Sequence, residues 1–191
     1  MGLLEIQLEA RNLLQLNPLF MHSKTTGAAE QSEVVEIAIL DSAGKPLIDA
    51  LVKPKRHIRP SGTEEHGITD EMVDNAPRWN EVLPEIEEIL AHKKVCVYDL
   101  EDELEALRNS YKNNNNRWAL DTDSFFNIMD LFSRFRNVRD SRSRVLTNYS
   151  LQEAARLLGI DIEIIAYRRA HEDAWLIRAI LLAIAGWKVY Y

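Results

Sequence analysis

Leu19-Phe20-Met21-His22-Ser23-Lys24-Thr25-Thr26-Gly27, Glu33-Val34-Val35-Glu36-Ile37-Ala38-Ile39-Leu40 and Pro46-Leu47-Ile48-Asp49-Ala50-Leu51-Val52 are the three stretches that decide the fold. The first is a brief apolar run that ends in small residues suited to a turn. The second is rich in β-branched residues, and the third is apolar again. Ser42-Ala43-Gly44-Lys45 separates them with turn chemistry, so the second and third form a β-hairpin. The reading predicts three strands that lie as antiparallel neighbours.

On the N-terminal side, Leu4, Leu8, Leu13 and Leu14 recur at partly helical spacing and Asn17-Pro18 stops the pattern. Residues 1–17 therefore read as a helix docked on a core of residues 18–186, all within one domain spanning 1–191. On the C-terminal side the pattern changes after Pro60. Val82, Leu83, Ile86, Ile89 and Leu90 mark an apolar helix face, Lys94 to Tyr98 reads as a buried strand, and Leu104, Leu107 and Tyr111 mark a second helix. Trp118 to Leu120 is a short apolar piece, and Ser124 to Phe135 resumes helical spacing. Ser150-Leu151-Gln152-Glu153 is a capping box opening a helix that Gly159 closes. A last helix is expected from about His171 to Ala185, ended by Gly186. A hairpin, a β-to-α crossover and terminal helices make an α/β domain with a mixed sheet.

Composition limits the function classes. The chain has 191 residues, 46% hydrophobic and 28% charged, which suits an ordinary globular protein. No basic region precedes an apolar core at the start, and the apolar run from Ala174 to Trp187 is interrupted by Arg178; no membrane association is expected, and the single Cys96 fits a reducing cytoplasm. A net charge of −7 argues against a surface that is basic all round. Two local basic stretches stand out: Lys53, Lys55, Arg56 and Arg59, and then Arg134, Arg136, Arg139, Arg142 and Arg144. Each is either a solvated loop or a phosphate contact.

Read in order, Lys24-Thr25-Thr26-Gly27, Glu33 to Ala38, Leu51-Val52-Lys53-Pro54, His66-Gly67-Ile68-Thr69 and Ala76-Pro77 resemble the DEDDh 3′–5′ exonucleases of the DnaQ-like proofreading type. Val97-Tyr98 before a helix, Asp121-Thr122, the Leu151 to Ile160 segment and Ala170 with Asp173-Ala174 extend the likeness over roughly residues 8 to 185. The resemblance implies an RNase H-like fold with a mixed five-stranded sheet. In active members it implies cleavage by water activated on a pair of magnesium ions, held by carboxylates and deprotonated by a histidine. It also implies that Thr25, Thr26, Gly27, His66 and Tyr98 meet nucleic acid. Trp118 and Tyr149 are further stacking candidates, with core packing the ordinary alternative for all three aromatics.

Where the resemblance calls for Asp-x-Glu on the first strand, this chain has His22-Ser23-Lys24. The next ligand position holds Glu103, with Asp102 beside it. In the last motif Asp173 is retained, Arg168 stands where the base belongs, and His171 is out of register. The ligand positions His22, Lys24, Glu103 and Asp173 thus keep only two carboxylates. Salt bridges from Lys24 or Arg168 are expected in place of metals, and Arg168 is too basic to accept a proton.

Three functional readings follow. The leading one is a dead or impaired exonuclease homologue that binds single-stranded DNA or RNA and needs no cofactor. The second is an active enzyme in which His22, Glu103 and Asp173 hold one ion, with His171 or water as base; magnesium or manganese would then be required, and imidazole beside carboxylates suits manganese or zinc better. The third is a module for a protein partner or for homo-oligomerisation.

Overall fold

The computed structural model describes residues 2–27, 31–141, 143–161 and 169–189. Helix α1 (Leu3–Gln15) leads into strand β1 (Leu19–Thr25), and the hairpin β2 (Val34–Leu40) and β3 (Pro46–Leu51) follows. Three helices come next: α2 (Pro60–His66), α3 (Asp70–Val73) and α4 (Trp79–Leu90). Strand β4 (Val95–Val97), helix α5 (Leu100–Asn113), strand β5 (Phe125–Asn127) and helix α6 (Ile128–Arg136) complete the sheet. Helices α7 (Leu151–Leu157) and α8 (Ala170–Ile184) close the described chain.

The sheet order is β3-β2-β1-β4-β5. Strands β1, β2 and β3 pair antiparallel, as the hairpin chemistry predicts, and β4 and β5 join parallel to β1. Successive strand residues face opposite sides of a sheet. Phe20, Ala38, Leu40 and Cys96 accordingly face one core with α1, α6, α7 and α8, while Leu19, Met21, Ile37, Ile39, Val95 and Val97 face another with α4 and α5. All seven residues of β2 are buried, which is why that strand reads as a continuous apolar run rather than an alternation.

Two sequence readings are corrected. Helix α1 buries Ile6, Ala10, Leu13 and Leu14, whereas Leu4 and Leu8 are 80% and 56% exposed. Ile6, Ala10 and Leu13 follow the i, i+4, i+7 spacing of one helix face; the leucines alone mislead because Ala10 is small enough to lie flat against the core. Phe125-Phe126-Asn127 is the fifth strand rather than the start of a helix. Three residues are too few to show a period, and Asn127 then caps α6 by accepting a hydrogen bond from the Asp130 amide. The capping box at Ser150 and Glu153 forms as read.

Candidate functional site in the cleft at the ends of β1 and β4

Strand β1 places His22 and Lys24 on the Phe20 side of the sheet, the side covered by α8, because they lie two and four residues on. The carboxyl ends of the parallel neighbours β1 and β4 open side by side, where open α/β sheets form their sites. Helix α5 starts just beyond β4 and contributes Glu103, and the first turn of α8 contributes Asp173. His22, Lys24, Glu103 and Asp173 therefore meet although they are far apart in sequence.

They meet as an ion-pair cluster. Lys24 Nζ lies 2.5 Å from Asp173 Oδ2, and both residues are 2% exposed. His22 lies between the two carboxylates: its Nδ1 is 3.3 Å from Glu103 Oε2 and its Nε2 is 3.4 Å from Asp173 Oδ2. The same Nε2 is 3.3 Å from Lys24 Nζ. Glu103 Oε2 also accepts the Ser23 amide at 3.3 Å, whereas its buried Oε1 finds no hydrogen-bond partner among the described residues.

A third buried carboxylate fixes this arrangement. Glu36 pairs with Lys24 across β1 and β2, is 2% exposed, and accepts hydrogen bonds from Arg169 Nε and the Ala170 amide, both at 2.8 Å. It therefore ties the first turn of α8 to the sheet and sets the height at which Asp173 meets Lys24. Pairing with Glu36 raises the Arg169 pKa above the usual guanidinium value. Sequence reading missed Glu36 and Arg169. The signal was present, since an acidic residue inside an otherwise apolar strand must be buried with a partner.

The remaining candidates have other surroundings. Thr25 Oγ1 accepts the Gly27 amide and Thr26 Oγ1 accepts the Glu33 amide. Gly27 adopts φ +114°, and a Cβ there would meet Ser61 Oγ at 3.1 Å, so glycine is required at this turn. His66 is 3% exposed; its Nδ1 accepts the Ile68 amide at 3.1 Å, which leaves Nε2 as donor to the Thr25 carbonyl at 2.9 Å. Burial, reinforced by the Lys24 charge, lowers the His66 pKa. Tyr98 is buried and its hydroxyl donates to the carbonyls of Tyr149 and Ser150. Trp118 packs on Tyr111 at 4.9 Å between ring centroids, and Tyr149 meets Phe132 edge-on at 5.4 Å. His171 Nδ1 lies 3.5 Å from Asp49 Oδ2. It is two helical residues, about 200°, around α8 from Asp173. Arg168 lies outside the described residues.

His22, Lys24, Glu103 and Asp173 border a cleft of about 570 Å³ with Thr25, His66, Tyr98 and Tyr149, and Glu65, Asp99, Asp102 and Glu105 line it as well, whereas Thr26, Gly27, Trp118 and His171 are not among its lining residues. Burial and then the repulsion of Asp99 and the neighbouring glutamates raise the Asp102 pKa.

The family resemblance calls for a pair of magnesium ions at this site. Such a pair needs several carboxylate oxygens free to bind hard cations. Here a buried ammonium already holds one of the two surviving carboxylates, and the four side chains carry a formal −1 with histidine neutral instead of −4. The residues do not fit the two-magnesium centre. Among the described residues, no group of three or more histidine, cysteine or acidic side chains is arranged to hold a metal ion.

The exonuclease family RNase_T matches residues 24–175. The chain belongs to this exonuclease family. An uncharacterized exonuclease of Escherichia phage 186, CP81, is 28% identical to it over 188 residues, 94% of each chain. In fold, this exonuclease-family chain is similar to Exonuclease X in complex with 5′ overhanging duplex DNA, at TM-score 0.60 and 20% identity over 89% of this chain and 93% of that one. It is similar as well to the nuclease domain of 3′hExo, a DEDDh family member bound to rAMP, at TM-score 0.67 and 16% identity over 85% and 88%. The RNase H-like exonuclease fold is thus established, and the altered residues lie within the matched segment except for His22. No helix among the described residues is long and apolar enough to cross a membrane.

Proposed function

We propose that this exonuclease-family domain binds single-stranded nucleic acid without hydrolysing it, its metal centre being replaced by a buried ion-pair cluster. One observation carries the reading: Lys24 Nζ sits 2.5 Å from Asp173 Oδ2 inside the cleft. An ammonium there supplies the positive charge that a dication would otherwise bring, but it cannot lower the pKa of a bound water as a metal does. His171 makes its contact with Asp49 rather than with the cluster, and the residue at the family's base position in the sequence is Arg168, which is too basic to accept a proton. Nucleic-acid binding is supported by the fold shared with Exonuclease X, solved with DNA, and with 3′hExo, solved with rAMP.

The test is hydrolysis of end-labelled single-stranded DNA and RNA with magnesium and then manganese. The natural protein is expected to leave both strands intact while binding them. A variant carrying His22→Asp, Lys24→Glu, Glu103→Asp and Arg168→His is expected to gain metal-dependent cleavage. Cleavage by the natural protein that Asp173→Ala abolishes would overturn the reading in favour of an altered active enzyme. A second reading, association with a protein partner or with another copy, is favoured by the exposure of Leu4, Leu8 and Trp187, each 50% or more. Failure to bind either strand at low salt, together with concentration-dependent sedimentation, would select it.

A further inference from the structure

Charge is distributed unevenly over this chain. Residues 134–144 contain five arginines and one aspartate, a formal +4, so that in a chain of −7 the other residues carry −11. Among the described residues, Arg134 and Arg136 lie in the last turn of α6, and Arg139 and Arg144 lie on an arm that follows it beside the cleft. At the end of α6, Asn137 turns the chain with φ +50°. The Thr147 amide then donates to Val138 O and the Asp140 amide to Val145 O, both at 2.9 Å, and Arg139 pairs with Leu146 as an antiparallel bridge. The chain returns at Tyr149 and Ser150, which line the cleft and whose carbonyls are held by the Tyr98 hydroxyl. The base of the arm is therefore a wall of the cleft.

Three arginines beside the cleft are exposed, of which Arg139 also donates from Nη1 to the Arg144 carbonyl at 2.9 Å. Arg136, Arg139 and Arg144 are exposed, and no ion pair to a carboxylate is formed by them among the described residues. By contrast, Arg134 is committed to Glu9 and Asp130. In the other basic stretch, Lys53 is paired with Asp74 at 2.6 Å, Lys55 Nζ donates to the Asn113 carbonyl and Arg56 bonds Gln31, which leaves Arg59 as its exposed cation with no ion pair among the described residues.

The cleft has the opposite sign. Glu65, Asp99, Asp102, Glu103, Glu105 and Asp173 border it with Lys24 as the one lysine or arginine among the described residues, a formal −5 with histidines neutral. A phosphate brought there meets a net negative cleft, because the dications that let phosphate and carboxylate share a site do not fit.

Resting on the nucleic-acid reading above, we propose that the strand is gripped along its phosphodiester backbone by Arg136, Arg139 and Arg144, and that its 3′ end stays out of the cleft. Binding is then independent of chain ends, unlike the activity for which the fold is built.

Fluorescence anisotropy with a labelled single-stranded DNA, the same sequence closed into a circle, and the equivalent RNA tests this. Linear and circular DNA are expected to bind within about twofold of each other, since every contact is to the backbone. Arg136→Gln/Arg139→Gln/Arg144→Gln removes three contacts, so the slope of log affinity against log salt should fall by about 2, and affinity at 0.1 M salt by about 100-fold. Loss of binding to the circle, or a triple variant that binds like the natural protein, would overturn end-independent gripping while leaving nucleic-acid binding intact. Competition by polyglutamate as strong as by the oligonucleotide would reassign the arm to an acidic protein. No binding of any strand would overturn the functional reading itself.

Discussion

Replacing Lys24 by methionine keeps the length of the side chain but deletes the ammonium that neutralises Asp173. Both residues are 2% exposed, so solvent screening does little to soften the loss. Breaking a buried pair by removing one partner costs about 3–5 kcal/mol, because the other charge is left in a low-dielectric site. Here Glu36 and Glu103 are also buried nearby, which places the expected cost at the upper end. For a chain of this size it corresponds to a fall in Tm of about 10 °C or more. Urea unfolding of the natural protein, Lys24→Met, Asp173→Leu and the double variant measures it. The double variant is expected to regain most of the stability, since an apolar pair of similar volume can replace a buried ion pair at little net cost. The cycle should give a coupling of at least about 3 kcal/mol. A Lys24→Met cost below about 1 kcal/mol, or additive single effects, would show that the pair does not hold the cleft together, and the argument that an ammonium has taken over from metals would fail.

Two further outcomes follow from the turn beside the cleft. Folding lowers the pKa of His66, chiefly through burial, so its contribution to stability is complete above the unfolded value of about 6.5 and is lost as pH falls through the depressed folded value. Urea midpoints between pH 7.5 and pH 5 should therefore decline less steeply in His66→Gln, which retains a donor for the Thr25 carbonyl; an unchanged pH dependence would refute the neutral, buried assignment. Gly62 is closely packed, with an added Cβ at 3.2 Å from Gly27 N, His66 Nε2 and Thr25 O. Gly62→Ala should cost about 1–3 kcal/mol by overpacking in the same unfolding experiment, and a neutral or stabilising effect would show that α2 can move away from β1.

The sheet was legible because its signals are local. Turn residues at Ser42 to Lys45 and the apolar residues that open β1 and dominate β2 report the strands directly, and the box at Ser150 and Glu153 reports a helix start within four residues. Residues of the site were legible one at a time for a similar reason: His22, Lys24, Glu103 and Asp173 occupy positions that the neighbouring motifs mark. Helix α1 forms where its spacing predicts, and only its contact face differs from the row of leucines, because a flat alanine, Ala10, lies in it. Phe125 to Asn127 was misread because a three-residue parallel strand is defined by its neighbour β4 and has no period of its own.

By itself, then, the sequence determined the α/β class, the antiparallel hairpin, the loss of two carboxylates and the presence of a concentrated run of arginines. Which charges neutralise which was decided only by the tertiary structure. Lys24 could have met Glu103 or Asp173, and its contact with Asp173 depends on the height of α8, which Glu36 sets from β2 by accepting the Ala170 amide. The contrast between an acidic cleft and a basic arm likewise arises only when segments distant in sequence converge. Coulomb energy depends on separation and dielectric surroundings, and both are properties of the folded chain.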